Sequence, residues 1–214
     1  MKKFFITLIT LVSISLNITA AVGDWKIYMS YSEPQQIQET GNYLFVQASN
    51  SLYLYNKNDQ SIQTFDKTTG MSDVVVTNIS WNQKAKRLVV VYDNSNIDLI
   101  DLQGNVTNVP DLYNKSMTED KTVNSIINND KYAYIATNFG GIKLNVSAAE
   151  ISESYLLGQS IKRFAISGST IYALNTQNKA ISASMSTNLQ DKANWESTPS
   201  YPDGIFNVDN SAYT

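Results

Sequence analysis

The sequence predicts an all-β repeat protein of the β-propeller class, and three observations predict it. A unit of turn, apolar strand, Asn- or Gly-rich turn and second strand occurs four times along the 214 residues. The unit starts at Tyr43, Arg87, Tyr132 and Thr170, at intervals of 44, 45 and 38 residues, near the period of propeller blades. No stretch carries a sustained helical stripe, and Met117–Asn124 has room for one helical turn at most.

The central hairpins are justified in chain order. Gly41-Asn42 precedes Tyr43–Gln47, and Ser49-Asn50 joins it to Ser51–Tyr55. Lys86 precedes Arg87–Tyr92, and Asp93–Asn96 leads to Ile97–Asp101. Asp130-Lys131 precedes Tyr132–Thr137, and a turn over Asn138-Phe139-Gly140-Gly141 leads to Ile142–Asn145. Gly168-Ser169 precedes Thr170–Leu174, and Asn175–Asn178 leads to Lys179–Ser182. Asn, Asp, Gly and Ser fill the turns because they accept positive φ or bond their own backbone.

Each hairpin is flanked by further strand-like runs. Gln36–Glu39, Asn78–Trp81, Asn124–Ile127 and Arg163–Ile166 come before, and Ser61–Phe65, Asn105–Val109 and Ile151–Tyr155 after. For the fourth unit the best candidate is Asn194-Trp195-Glu196. About four strands per unit is what a blade requires. Blades pack face to face, so the second strand of the second unit, Leu88–Val91, is nearly all apolar, whereas Ser61–Phe65 alternates. A β-sandwich needs no repeated four-strand unit and a β-helix has a shorter period. The expected blades cover approximately residues 35–70, 76–114, 123–158 and 161–198. Trp25–Tyr31 alternates and is expected to serve as an outer strand donated to the last blade. Gly204–Val208 resembles the start of another strand. We therefore expect an incomplete N-terminal part of a larger propeller.

Residues 1–21 read as a secretory signal peptide: Lys2 and Lys3, an apolar run from Phe4 to Leu16, then Thr19, Ala20 and Ala21. Thr7, Thr10, Ser13 and Ser15 interrupt a run already short for a membrane span. The repeats at 22–214 are therefore expected outside the cytoplasm, in the periplasm or at the cell surface.

Composition excludes whole function classes. With no cysteine and no histidine, there is no thiolate nucleophile, no Ser-His-Asp relay and no imidazole metal ligand. The formal charge is -3, and an acidic surface is a poor partner for nucleic acid or anionic lipid.

The remaining constellations have plain readings. Asp93–Asp98 and Asn56–Asp59 cluster oxygen ligands of the kind calcium takes, but they lack the EF-hand pattern and sit where turns are expected. Asp98 and Asp101 are an odd number of residues apart and should diverge on a strand, which argues against a glycosidase-like acid–base pair. Asn78, Asn105, Asn114 and Asn145 match a glycosylation sequon, as an Asn-rich chain does by chance. Tyr53, Tyr55, Tyr132 and Tyr134 recur at period two, which favours sheet packing over a stacking surface for ligands. Lys84, Lys86 and Arg87 form a small basic cluster in a turn. Phe139-Gly140-Gly141 is read as a hairpin turn, not a phosphate loop.

Thr68-Thr69-Gly70-Met71-Ser72-Asp73 followed by Val76-Thr77-Asn78-Ile79 resembles the linker of two-component-regulator propeller repeats. Leu88–Ile100 and Tyr134–Ile142 fit the same pattern. With the leader and Gly23-Asp24-Trp25-Lys26-Ile27-Tyr28, these blades resemble the N-terminal propeller of PorZ-like proteins of Bacteroidetes, over roughly residues 23–160. The resemblance implies a place in type IX secretion and its cell-surface attachment complex, in a protein much longer than this chain.

The function expected is that of a non-catalytic exported binding or scaffold module, with no catalytic, cofactor or metal residues and with its binding residues unassigned. Its expected partners are secretion- or attachment-complex proteins, or a surface glycan such as lipopolysaccharide. The alternative is the periplasmic glycan-sensing propeller of a hybrid two-component regulator.

Overall fold

The computed structural model describes residues 30–207. Each unit of the sequence becomes one four-stranded antiparallel meander, with strands in chain order from one edge to the other. The first sheet holds β1 (Pro34–Thr40), β2 (Tyr43–Ala48), β3 (Ser51–Asn56) and β4 (Ile62–Phe65). The second holds β5 (Val76–Asn82), β6 (Arg87–Tyr92), β7 (Ile97–Ile100) and β8 (Val106–Val109). The third holds β9 (Val123–Asn129), β10 (Tyr132–Thr137), β11 (Gly140–Asn145) and β12 (Glu150–Leu156). The fourth holds β13 (Ile161–Ser167), β14 (Thr170–Asn175), β15 (Ala180–Ser184) and β16 (Glu196–Ser197).

Strand periodicity explains how these sheets become blades. On β6, Leu88 and Val90 face the first blade beside Phe45, Leu54 and Trp81. Val89 and Val91 face the third blade beside Ala133, Ile135 and Ile142. All four side chains are fully buried, so a sheet packed on both faces reads as an unbroken apolar run. A third core joins the third and fourth blades through Tyr134, Tyr155, Phe164 and Trp195. Among the described residues no core joins the first blade to the fourth, and the four blades form an open arc.

The turns repeat with the blades. The turn between the first and second strands contains a left-handed residue at the same place in every blade: Gly41, Lys86, Asp130 and Gly168, with φ between 52° and 60°. Each first strand also carries a β-bulge at one place, admitting Gln35, Thr77, Asn124 and Lys162 as extra residues. Beside it, the residue following the second strand donates its N–H to a carbonyl just before the first: Ser49 to Glu33, Asp93 to Val75, Asn138 to Thr122 and Thr176 to Ser160.

The structure corrects several local readings. Gly140 and Gly141 belong to β11, and only Asn138-Phe139 remains as the turn. The ring of Phe164 and the backbone of Tyr155 press so close that a Cβ at Gly141 or Gly140 would clash. The short helix is α1 (Asp111–Asn114), before Met117 rather than after it. Pro110 presets its first turn, and Leu112 buries into the core between the second and third blades. Lys121 then bonds the carbonyls of Leu112, Tyr113 and Lys115 at its end. Of the four tyrosines, Tyr134 is buried, whereas Tyr53, Tyr55 and Tyr132 are half-buried. Gly204–Phe206 lies in a turn and not in a strand. Most of Trp25–Tyr31 and the signal peptide lie outside the described residues, as does Val208.

Candidate binding surface

The linker that enters the second blade is built around one carboxylate. Asp66 caps a 3-10 turn over Lys67–Thr69, accepting from the backbone N–H groups of Thr68 and Thr69, and Gly70 ends the turn at φ 104°. Met71 then drops into the first core. The next residue, Ser72, donates its backbone N–H (2.8 Å) and hydroxyl (2.7 Å) to Asp98 on β7. Asp98 also accepts from the Tyr92 hydroxyl (2.5 Å) and Asn108 Nδ2 (2.9 Å). Asp98 is fully buried, so these four donors replace its lost water. Burial first, and then the charge of Asp98, push the Tyr92 phenol well above its ordinary value, so it stays protonated as a donor.

Amide side chains sew the innermost strands together. Gln36 on β1 donates to the Thr77 carbonyl and accepts from the Ile79 N–H, both at 3.0 Å. In this way it mimics a backbone strand along the free edge of β5. Gln38 accepts from the Trp81 N–H at 3.0 Å. Between the second and third blades, Asn128 bonds Ser80 Oγ and the Trp81 carbonyl, while Asn82 bonds Asn128 and the carbonyl of Asp130. Asn124 donates to the Ile161 carbonyl of the fourth blade. These amides satisfy edges that would otherwise invite pairing.

The seam between the third and fourth blades is aromatic and charged. Lys143 bonds Glu153 at 2.8 Å and lies 4.6 Å from the centre of the Tyr132 ring. Glu153 accepts from the Tyr155 hydroxyl at 2.9 Å. Burial pushes the Tyr155 phenol far up, with the neighbouring Glu153 adding to it.

Chemically, these groups tie strands and linkers of the chain to one another. Asp98 and Asp101 diverge as their spacing requires. Asp101 falls just past β7 and accepts from the N–H groups of Gln103 and Asn105 and from Asn105 Nδ2. No group of metal-ligating side chains gathers among the described residues. Asn94, Asn56 and Asp59, weighed as calcium ligands, accept from the backbone of their own turns. The cluster Lys84, Lys86 and Arg87 does lie on the surface, where the second blade meets the third. No described helix is long and apolar enough to cross a membrane.

Residues 44–196 match the family model of the N-terminal β-propeller domain of PorZ of the type IX secretion system. The chain belongs to this family. Among solved structures it is similar to PorZ of Porphyromonas gingivalis, described as an essential bacterial surface component of the type-IX secretion system, with 30% identity and a TM-score of 0.76. The match covers 82% of this chain and 24% of that one, so the chain spans about a quarter of the PorZ chain. The extracellular domain of a proposed one-component system from B. thetaiotaomicron shares the fold at 20% identity and a TM-score of 0.59, over 83% of this chain and 24% of that one. Apo AztD from Citrobacter koseri does so at 14% and 0.55, over 78% and 45%. No curated protein matches. In this PorZ-family domain, the linker motif of the sequence is the segment pinned by Asp98, and its Ser72 works as a structural tie.

Proposed function

We propose that the chain is a non-catalytic binding and scaffold module of a type IX secretion or surface-attachment complex, placed outside the cytoplasm. The observation that carries the reading is the family match over residues 44–196, joined to a similar structure that is itself a surface component of that system. The geometry supports it. The carboxylates and tyrosines with unusual surroundings, Asp98, Tyr92, Glu153 and Tyr155, are used up in bonds that tie strands and linkers together. A rigid array of blades held by amide seams presents turns at both rims, which suits contact with other macromolecules. Its partners are secretion- or attachment-complex proteins or a surface lipopolysaccharide.

The test is affinity capture with the purified chain from cell-surface extract, followed by mass spectrometry and glycan analysis. Enrichment of secretion-system proteins or lipopolysaccharide over an unrelated propeller is expected. Retention of free oligosaccharide alone would move the assignment to a glycan sensor. Turnover of any polysaccharide would overturn the non-catalytic reading.

A further inference from the structure

We infer that the rim where the second and third blades meet docks an acidic segment of a partner protein. The inference rests on the binding-module reading above and adds a place and a chemistry to it. Sequence alone shows Lys84, Lys86 and Arg87 in one turn. The fold brings a fourth cation to them. Asn82, which opens that turn, donates to the carbonyl of Asp130, so the turn over Asp130-Lys131 lies against it. Lys131 in turn accepts at its carbonyl from the Val146 N–H, and the Val146 carbonyl takes the guanidinium of Arg87 at 3.4 Å. Ala85 packs into the core beneath. Four cations thus share one rim on two blades, with Lys84 and Lys86 exposed and Arg87 and Lys131 half-buried. Among the described residues none of the four forms an ion pair.

The acids nearby offset this charge only in part. Asp101 feels the charge of Arg87 but is turned onto the amides of its own turn, and Glu150 opens the outermost strand of the third blade. Asp130 alone stands exposed between the lysines. The chain as a whole is acidic, at -3, so an acidic partner is repelled elsewhere and steered to this rim. An interspersed carboxylate suits a peptide, which carries donors between its acids, better than a uniformly anionic lipid surface. The backbone marks the same spot. At the equivalent turns of the first and fourth blades the left-handed position is glycine, whereas here Lys86 and Asp130 hold it at φ 55° and 52°. A lysine there is strained where glycine is not, so side chains are kept where the backbone alone would favour none.

The experiment measures fluorescence anisotropy of a labelled decaglutamate peptide against the purified chain, at low and at physiological ionic strength. Saturable binding that weakens with salt is expected. Lys84→Glu, Lys86→Glu and Lys131→Glu together should weaken it by about tenfold or more, with the three Gln replacements falling between. Lys67→Glu with Lys179→Glu, on other turns, should leave it unchanged. Circular dichroism confirms that each variant is folded, and the Gln set serves if the Glu set is not. Absence of binding, or equal loss from the distal pair, overturns the inference. So does rim-dependent binding to mixed phosphatidylcholine–phosphatidylglycerol vesicles without binding to the peptide. If the rim variant still captures secretion-system proteins as the parent does, the rim is wrong and the module reading survives. If neither captures them, the module reading itself falls.

Discussion

Replacing Asp98 by Asn tests how much of the second blade's stability hangs on one carboxylate. The side chain is fully buried and accepts four hydrogen bonds, from Ser72 N and the Tyr92 hydroxyl at Oδ2 and from Ser72 Oγ and Asn108 Nδ2 at Oδ1. An amide keeps one oxygen, so one of these pairs meets an NH2 group instead. The hydroxyl in that pair can rotate and accept, but the N–H cannot. Either Ser72 N or Asn108 Nδ2 loses its acceptor, and an unsatisfied buried donor costs about 1–3 kcal/mol. The remaining bonds fall from charge-assisted to neutral strength, which costs roughly a further 1 kcal/mol, partly offset because no charge is buried. The expected loss is about 3 kcal/mol. Urea unfolding followed by circular dichroism measures it, with Glu150→Gln, at an exposed side chain that opens β12, as the control expected to move stability by less than about 0.5 kcal/mol. A loss for Asp98→Asn no larger than that of the control would refute the reasoning. So would a change in denaturant slope that accounts for the whole shift in midpoint.

Other perturbations test the seams and the buried phenols. A Cβ at Gly141 would sit 2.4 Å from the Phe164 ring and 2.7 Å from the Ile135 carbonyl, so Gly141→Ala should destabilise the chain by about 1–3 kcal/mol in thermal unfolding; an unchanged midpoint would show that the two blades are not in close contact. Trp195 packs against Tyr155 and Phe164 with centroids 6.1 and 6.2 Å away and donates to the Leu189 carbonyl at 2.9 Å, so Trp195→Ala should cost about 3–5 kcal/mol and loosen the fourth blade first, visible as faster amide exchange in β13–β15. Gln36→Ala leaves the Thr77 carbonyl and Ile79 N–H without their partner, and a loss of about 1–2 kcal/mol is expected. Burial raises Tyr92 and Tyr155 above the ordinary value of 10.0, so the unfolded chain releases those protons first as pH rises. The folded chain then holds more protons, and stability should fall above about pH 10 by roughly 1.4 kcal/mol per pH unit for each phenol. Phenolate absorbance should show the two ionising only as the chain unfolds, and their ionisation while it stays folded would contradict the burial.

The comparison of sequence with structure is instructive element by element. The second strand of each blade begins where the alternation and turn residues place it, at Tyr43, Arg87, Tyr132 and Thr170. These are local features, since a turn must be made by the residues in it. Readings failed where a distant group decided the matter. The two glycines after Phe139 look like turn residues, yet they are strand residues kept small because Phe164 and Tyr155 approach them. The last strand of the fourth sheet is only Glu196–Ser197, preceded by a 3-10 turn over Lys192–Asn194. Its place is set by the insertion of Trp195 between Tyr155 and Phe164, which no periodicity announces.

The amino-acid sequence by itself determined the class of fold, the number of repeats and which strand is buried on both faces. All three follow from side-chain alternation and turn chemistry within some 45 residues. The tertiary structure alone decided that Ser72 ties to Asp98, that Gln36 completes the edge of β5, and that Lys131 joins Lys84, Lys86 and Arg87 on one rim. Those partners lie 26 to 48 positions apart. Strand periodicity fixes the face on which a side chain points. Which residue of the next blade it meets depends on how two sheets pack, a relation no local pattern encodes.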